Sequence, residues 1–239
     1  MSGENMTRMR MRIRAAAGLA VAAIMTLAGC GGSSASAKPA DSRTAATIIG
    51  QMKAAMNDAT SVHLTGSVAH AGSTVGIDVS LTRTGGLAGS VGSGGVTLDL
   101  IKTGDLIYIE ANSAFLKLAH EPATLCPKLC GKYVAVPASQ AATMTGDLSM
   151  SKLFGDLLGS LPHFARTGTI TIGGEQALVL AGSDGSTLDV AAHGNAYPLR
   201  AIAPKSAKAG EITFSQWNAV PVITAPPAGQ VVNLSQLTG

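Results

Sequence analysis

The chain has 239 residues, with 17 Lys+Arg against 14 Asp+Glu and a formal charge of +3. Residues 1–29 hold four of those arginines and one glutamate, so the remaining chain carries 13 of each sign and is neutral. That balance excludes electrostatic steering toward nucleic acid or a polyanionic substrate, and confines the basic character to the leader.

Arg8, Arg10, Arg12 and Arg14 alternate with Met and Ile and form a positive n-region. An apolar run, 15–27, follows; it has signal-peptide length and falls short of the roughly 20 residues that span a bilayer. Leu27-Ala28-Gly29-Cys30 then supplies small residues and one cysteine where a peptidase binds extended chain. This tetrapeptide resembles the lipobox of bacterial lipoproteins. The resemblance implies a lipoprotein signal peptide at 1–29, and a diacylglycerol thioether with palmitate-type acyl chains at Cys30. It places the protein on the extracytoplasmic side of the cell membrane, held by its lipid. The competing reading is an ordinary secretory signal with a coincidental cysteine. Each buried CH₂ contributes about 0.8 kcal/mol, so two chains anchor far more firmly than one.

Residues 30–43 are small and polar, "GGSSASAKPADSR" after the cysteine, and read as a flexible tether. Residues 44–239 are expected to form a single domain. It opens with a helix: Ala45, Ile48, Ile49, Met52, Ala55, Met56 and Ala59 recur at spacings of three and four. The period then changes to two. "SVHLTGSVAHAG", "STVGIDVSLTRT", "LAGSVGSGG" and "VTLDLIKTGDLIYIEAN" are strand-like runs separated by Gly-Gly and Gly-Asp turns. Val75, Ile77, Val79 and Leu81 alternate with polar or small residues, as do Val96, Leu98 and Leu100, so each set belongs on one apolar face.

"TLCPKLCGKY" carries Cys126 and Cys130. With Cys30 lipidated, these two are the remaining thiols of an exported chain, and a short local disulfide is the natural reading. Two alternatives stay open. A zinc site could recruit His120 but lacks a fourth ligand; a redox dithiol would more typically be CxxC. "GKYVAVPAS" reads as a strand ending at Pro137. Residues 138–161 return to helical period, with Leu153, Phe154, Leu157, Leu158 and Leu161 on one face, Ser149 or Ser151 as cap and Pro162 as terminator. Gly155 and Gly159 lie inside, each costing up to about 1 kcal/mol relative to Ala. Strand patterns resume in "TGTITIGG", "EQALVLAGSDG", "STLDVAAHG", "AYPLRAIAP" and "GEITFSQWN", and "VPVITAPPAG" reads as an extended closing segment.

The order helix, meander, helix, meander gives an α+β domain. Its order and segment character resemble the LolA-like lipoproteins of actinobacteria, in particular the mycobacterial LppX/LprAFG group. That resemblance implies a curved antiparallel sheet, a half-barrel, with helices packed on its concave face and an apolar cavity for acylated lipids. It also implies a non-enzymatic carrier. The Cys126/Cys130 pair is not a feature of that group. Aromatics are only 3% of the chain, leaving few bulky side chains to fill a wide concave face, although such a composition permits a plain core as readily. The expected cavity lining is Val75, Ile77, Val79, Leu81, Val96, Leu98, Leu100, Leu153, Phe154, Leu157 and Leu158. Trp217 and Tyr133 are candidates for its rim.

No G-x-S-x-G elbow, G-x-G-x-x-G loop or Walker lysine is present. The five histidines are isolated, and Asp78 and Asp99 read as outward-facing solvated groups. The expectation is therefore a lipid-binding or lipid-carrying lipoprotein, a monomer needing no cofactor or metal, with no nucleic acid and no identified protein partner. The alternative is an envelope interaction or scaffold lipoprotein without a lipid ligand.

Overall fold

The computed structural model describes residues 42–70, 73–140, 149–159, 161–204 and 210–233. The leader, Cys30, the tether up to residue 41, and residues 141–148 and 160 of the 138–161 helical stretch lie outside the described residues.

Helix α1 (Ala45–Asp58) forms where the three-four spacing placed it, and its stripe is the centre of the core: Ile48, Met52, Met56 and the following Ala59 are all 0% exposed. Both ends are satisfied. Thr44 Oγ1 accepts from the Thr47 amide at 3.2 Å. At the other end the Arg83 guanidinium donates to the carbonyls of Ala59 (2.8 Å), Met56 (3.4 Å) and Asn57. The Met56 carbonyl also accepts from the Ala59 amide at 3.3 Å, and a cation at this end meets the negative end of the helix dipole.

The first meander is β1 (Ser61–His70), β2 (Ser73–Thr82), β3 (Leu87–Ser93), β4 (Val96–Thr103) and β5 (Leu106–Glu110). Helix α2 (Ser113–Leu118), a 3₁₀ turn (Ala123–Leu125) and the single turn α3 (Cys126–Leu129) then precede β6 (Tyr133–Pro137). After α4 (Met150–Gly159) come β7 (Phe164–Ile172), β8 (Glu175–Gly182), β9 (Thr187–Ala191), β10 (Pro198–Ile202) and β11 (Glu211–Ser215). A second 3₁₀ turn (Ala228–Gln230) leads into β12 (Val231–Asn233). All twelve strands share one open, curved sheet in the order β12-β6-β5-β4-β3-β2-β1-β11-β10-β9-β8-β7.

Two features depart from the sequence expectation. The sheet is antiparallel except at one edge, where β12 runs parallel to β6, with Val231 opposite Tyr133 and Asn233 opposite Ala135. The chain after β11 crosses extended from the middle of the sheet to that edge, so it arrives in the direction of β6. The helices α2 and α3 were not foreseen, because runs of six and four residues are too short for a helical period to register. Asn112 caps α2 by accepting from the Phe115 amide at 2.8 Å.

Cys126 and Cys130 are joined in a disulfide, with Cα atoms 4.7 Å apart. Spacing of four residues along one helical turn puts both thiols on the same side, and Pro127 fits that first turn because no amide is needed there. The turn buries Leu129 with Ala111, Leu116 and Val134 in a small cluster of its own over β5 and β6.

The main core lies on the inner face. Registers place Leu64, Val79, Gly89, Leu100 and Ile109 in one row across β1 to β5, with Gly66, Ile77, Val91 and Leu98 in the next. Gly66 and Gly89 sit inside strands at φ +144° and +141°. A Cβ on either would stand 2.0 Å from a neighbouring carbonyl oxygen, of Glu211 and Asp78 respectively, so the close approach where the sheet coils requires glycine.

Candidate functional site

Among the described residues, α1 and α4 cover the inner face, and they cover it differently. Under α1 the side chains of β1, β8 and β9 interlock: Val62, Leu178, Leu180 and Val190 are fully buried. Under the C-terminal half of α4 they do not. There a half-enclosed cleft of about 340 Å³ opens between Leu157 and Leu161 above and the ends of β1, β9, β10 and β11 below.

The strand registers explain the space. Gly66, Ile212, Ala201 and Leu188 face one another in sequence across β1, β11, β10 and β9. Of these, Leu188, Ala201 and Ile212 line the cleft, and Ala201 carries only a methyl group, so the floor is shallow there where the helix above supplies leucines. Phe164, Val68 and Pro162 form walls, and the polar lining is Ser67, Asp184, Ser186 and Thr187. Asp184 and Ser186 belong to the β8–β9 turn: Asp184 Oδ1 accepts from the Ser186 hydroxyl at 2.6 Å and from its amide at 2.9 Å. The hydroxyl bond first, then the amide bond, hold the Asp184 carboxyl below the usual carboxylate range.

The N-terminal half of α4 is pinned by aromatic packing. Phe154 lies 5.7 Å from the Trp217 ring, which stacks on Tyr197 at 4.4 Å and 5° and meets Phe214 at 6.1 Å. Half of the chain's eight aromatic residues are therefore in one cluster. Trp217 Nε1 donates to the Pro198 carbonyl at 3.1 Å. The turn presenting the indole is held by Asn218, in left-handed backbone at φ +58°. Its Oδ1 accepts from the Thr60 amide at 2.6 Å and its Nδ2 donates to the Tyr197 hydroxyl at 2.7 Å. Ser149 caps α4 through the Lys152 amide at 3.3 Å.

The eleven residues read from the sequence as a lining fall into three places. Val79, Leu81, Leu100 and Phe154 are buried within the main core, and Ile77, Leu98, Leu153, Leu157 and Leu158 pack around it. Val75 and Val96 are half-buried toward the ends of their strands. Leu157 is the one of the eleven that lines the cleft. The strands bordering the cleft, β1, β9, β10 and β11, contribute none of the eleven. Trp217 sits in the aromatic cluster. Tyr133 lies on β6, where burial, then the charges of Glu110 and Asp99, raise its hydroxyl's pKa.

Among the described residues, no group of three His, Cys, Asp or Glu could hold a metal ion. One polar constellation stands out on the outer face. His63 Nδ1 lies 3.0 Å from the Ser80 hydroxyl and its Nε2 3.4 Å from Asp78 Oδ1. These are cross-strand neighbours: His63 is opposite Ser80, and Asp78 is opposite Thr65. Flanking amides are occupied by the β1–β2 and β1–β11 ladders, which leaves no pair of donors for an oxyanion. Asp78 and Asp99 face Ser90 from either side, about 10 Å apart at two strand spacings. Asp189 is also on the outer face; it is 0% exposed, and its Oδ2 accepts from Arg200 Nε at 2.7 Å. None of these borders the cleft.

No protein-family model and no curated protein matches the sequence. Solved structures do match in fold. LprF from Mycobacterium bovis has a TM-score of 0.56 at 18% identity, covering 76% of this chain and 96% of that chain. The Mycobacterium tuberculosis lipoprotein LppX gives 0.47 at 17% identity, over 74% and 96%. The likeness to LprF shows that this chain shares its fold.

Proposed function

We propose that this chain is an envelope lipoprotein, anchored through Cys30, that binds an acyl chain of a lipid in the cleft beneath α4 and carries it without chemical change. The observation that carries this reading is the cleft itself: about 340 Å³ of space with an aliphatic floor and roof, in a chain whose residues 27–30 resemble a lipobox. Its volume is at the low end of ligand pockets, about 300–1,000 Å³. At about 30 Å³ per water in the liquid, it equals some eleven waters, room for part of one acyl chain. An apolar chain entering releases that water, a gain of about 25 cal/mol per Å² of apolar surface covered.

Access follows from the way α4 is held. Phe154 fixes one half of the helix against Trp217, while Gly155 and Gly159 weaken the half that bears Leu157. Lifting that half exposes the floor, and closing it returns Leu157 to the strands. The polar groups at the rim suit a headgroup left in water; no histidine lines the cleft and its one carboxylate is engaged by Ser186. This arrangement serves binding, and the outer-face His63 cluster has no access to it.

Native mass spectrometry of the detergent-exchanged protein tests the reading. Offered phospholipid or fatty acid should appear as a one-to-one adduct. Ala201→Phe, which fills the floor from a position with space above it, should remove the adduct while leaving the melting temperature within a few degrees. Apoprotein alone at every lipid concentration, or an adduct indifferent to Ala201→Phe, would end the proposal.

A further inference from the structure

The two edges of the sheet are finished differently. At one edge the described part of β12 is three residues. At the other, β7 has nine. Its first part is occupied: Arg166 Nη1 donates to the Arg43 carbonyl at 3.3 Å, and the register shifts between Arg166 and Gly168. Beyond that shift, 168–172 reads Gly-Thr-Ile-Thr-Ile, with no charge and no proline, the devices that normally protect an edge. Ile170 is 40% exposed, one of four large apolar side chains that stand out among the described residues.

The hairpin at its end fixes which backbone groups are free. Gly173 and Gly174 both have positive φ, 57° and 86°, giving a two-residue type I′ turn closed by Ile172 opposite Glu175. The residues flanking such a turn exchange both hydrogen bonds, and the pattern alternates along the strand. Ile172 and Ile170 therefore bond to β8. Thr171 and Thr169 turn their amides and carbonyls outward, and no described residue pairs with them.

We propose that this edge pairs with the same edge of a second copy of the chain, antiparallel about a twofold axis at Ile170. In that register Thr169 of each copy faces Thr171 of the other, so every outward amide meets an outward carbonyl. Ile170 meets its own counterpart across the axis, where cross-strand side chains lie about 4.5–5.5 Å apart. The strip is uncharged, so two copies meet without repulsion, and an isologous contact closes on itself at a dimer. One strand pair covers less than the roughly 1,200–2,000 Å² of a stable interface. The contact is therefore weak in dilute protein and fills where copies are crowded; crowding by a shared membrane rests on the proposed anchor, the pairing does not.

Oxidative cross-linking of the full chain in the membranes of expressing cells, and of solubilised protein at high concentration, tests this. Ile170→Cys should yield a reducible dimer, whereas Val222→Cys, at an 88% exposed position elsewhere, should not. Adding Thr169→Pro removes an amide that faces away from β8 and should lower the dimer yield about tenfold. Thr171→Lys should do the same by placing like charges together, which guards against a folding defect in the proline variant. A dimer no stronger than that of Val222→Cys overturns the proposal, as does one indifferent to both edge substitutions. Cross-linking of Ile170→Cys to a different protein overturns it in favour of a foreign strand. Slow amide exchange at Thr169 and Thr171 in dilute monomer overturns it in favour of residues 31–41 occupying the edge. Cell fractionation in the same samples reads the anchor separately.

Discussion

The two helices on the inner face make opposite bargains with the same sheet. Helix α1 is capped at both ends, by Thr44 and by Arg83, and three of its side chains are completely enclosed. Helix α4 has a cap at its start, two exposed glycines, and leucines at 153, 157 and 158 that are only half-buried. The strands below respond in kind, with leucines and valines under α1 and Ala201 under the end of α4. Packing is thus partitioned along one continuous sheet: the half under α1 is filled, and the half beside the cleft is left with space.

Paired truncations should expose that partition most strongly. Met52→Ala removes a fully enclosed side chain and should cost about 2–5 kcal/mol in denaturant unfolding, whereas Leu157→Ala, beside space already present, should cost under about 1.5 kcal/mol. Equal losses would erase the distinction. Next, Arg83→Met keeps the aliphatic stem but strips the carbonyls at the end of α1, and should cost about 1–2 kcal/mol; hydrogen exchange should quicken in the last turn of α1 and not in α4.

The reverse manipulation sharpens the comparison. A Cβ at Gly155 or Gly159 would meet nothing within 4 Å. Gly155→Ala and Gly159→Ala should therefore each stabilise by about 0.4–1 kcal/mol, and together should slow lipid uptake if α4 must lift. Uptake at the unaltered rate would separate entry from helix motion. The smallest effect lies at the rim. Because the folded state holds the Asp184 carboxyl low, its contribution is present above the ordinary carboxylate range and fades as pH falls through the folded value. Ser186→Ala should raise the Asp184 titration seen by NMR toward an ordinary aspartate and leave neutral-pH stability almost unchanged.

How much of this could be read beforehand divides along the same line. The α1 stripe and the strand runs were legible because their periods, 3.6 and two, are local properties of consecutive residues. The cleft was not. Alternation assigns a residue to a face but says nothing of which strands become neighbours, and the floor exists only because β11 and β10 pair and bring Ile212 beside Ala201. The aromatic cluster has the same origin: Phe154, Tyr197, Phe214 and Trp217 meet through tertiary packing across more than 60 positions of sequence. The disulfide was anticipated from composition and compartment, but its helical setting was hidden by the brevity of α3. The buried Asp189 gave no warning either, since its enclosure depends on Arg200 lying across from it in the next strand.

The point where the chain enters α1 carries a mechanical corollary. Arg43 donates to the Ala192 carbonyl at 2.8 Å and to Gln51 at 2.9 Å, while its own carbonyl is gripped by Arg166. Traction arriving from the N-terminal side is thereby shared among α1, the end of β9 and the start of β7 before any turn of α1 can unwind. A pull on residue 42 meets a rivet made from three distant stretches of sequence.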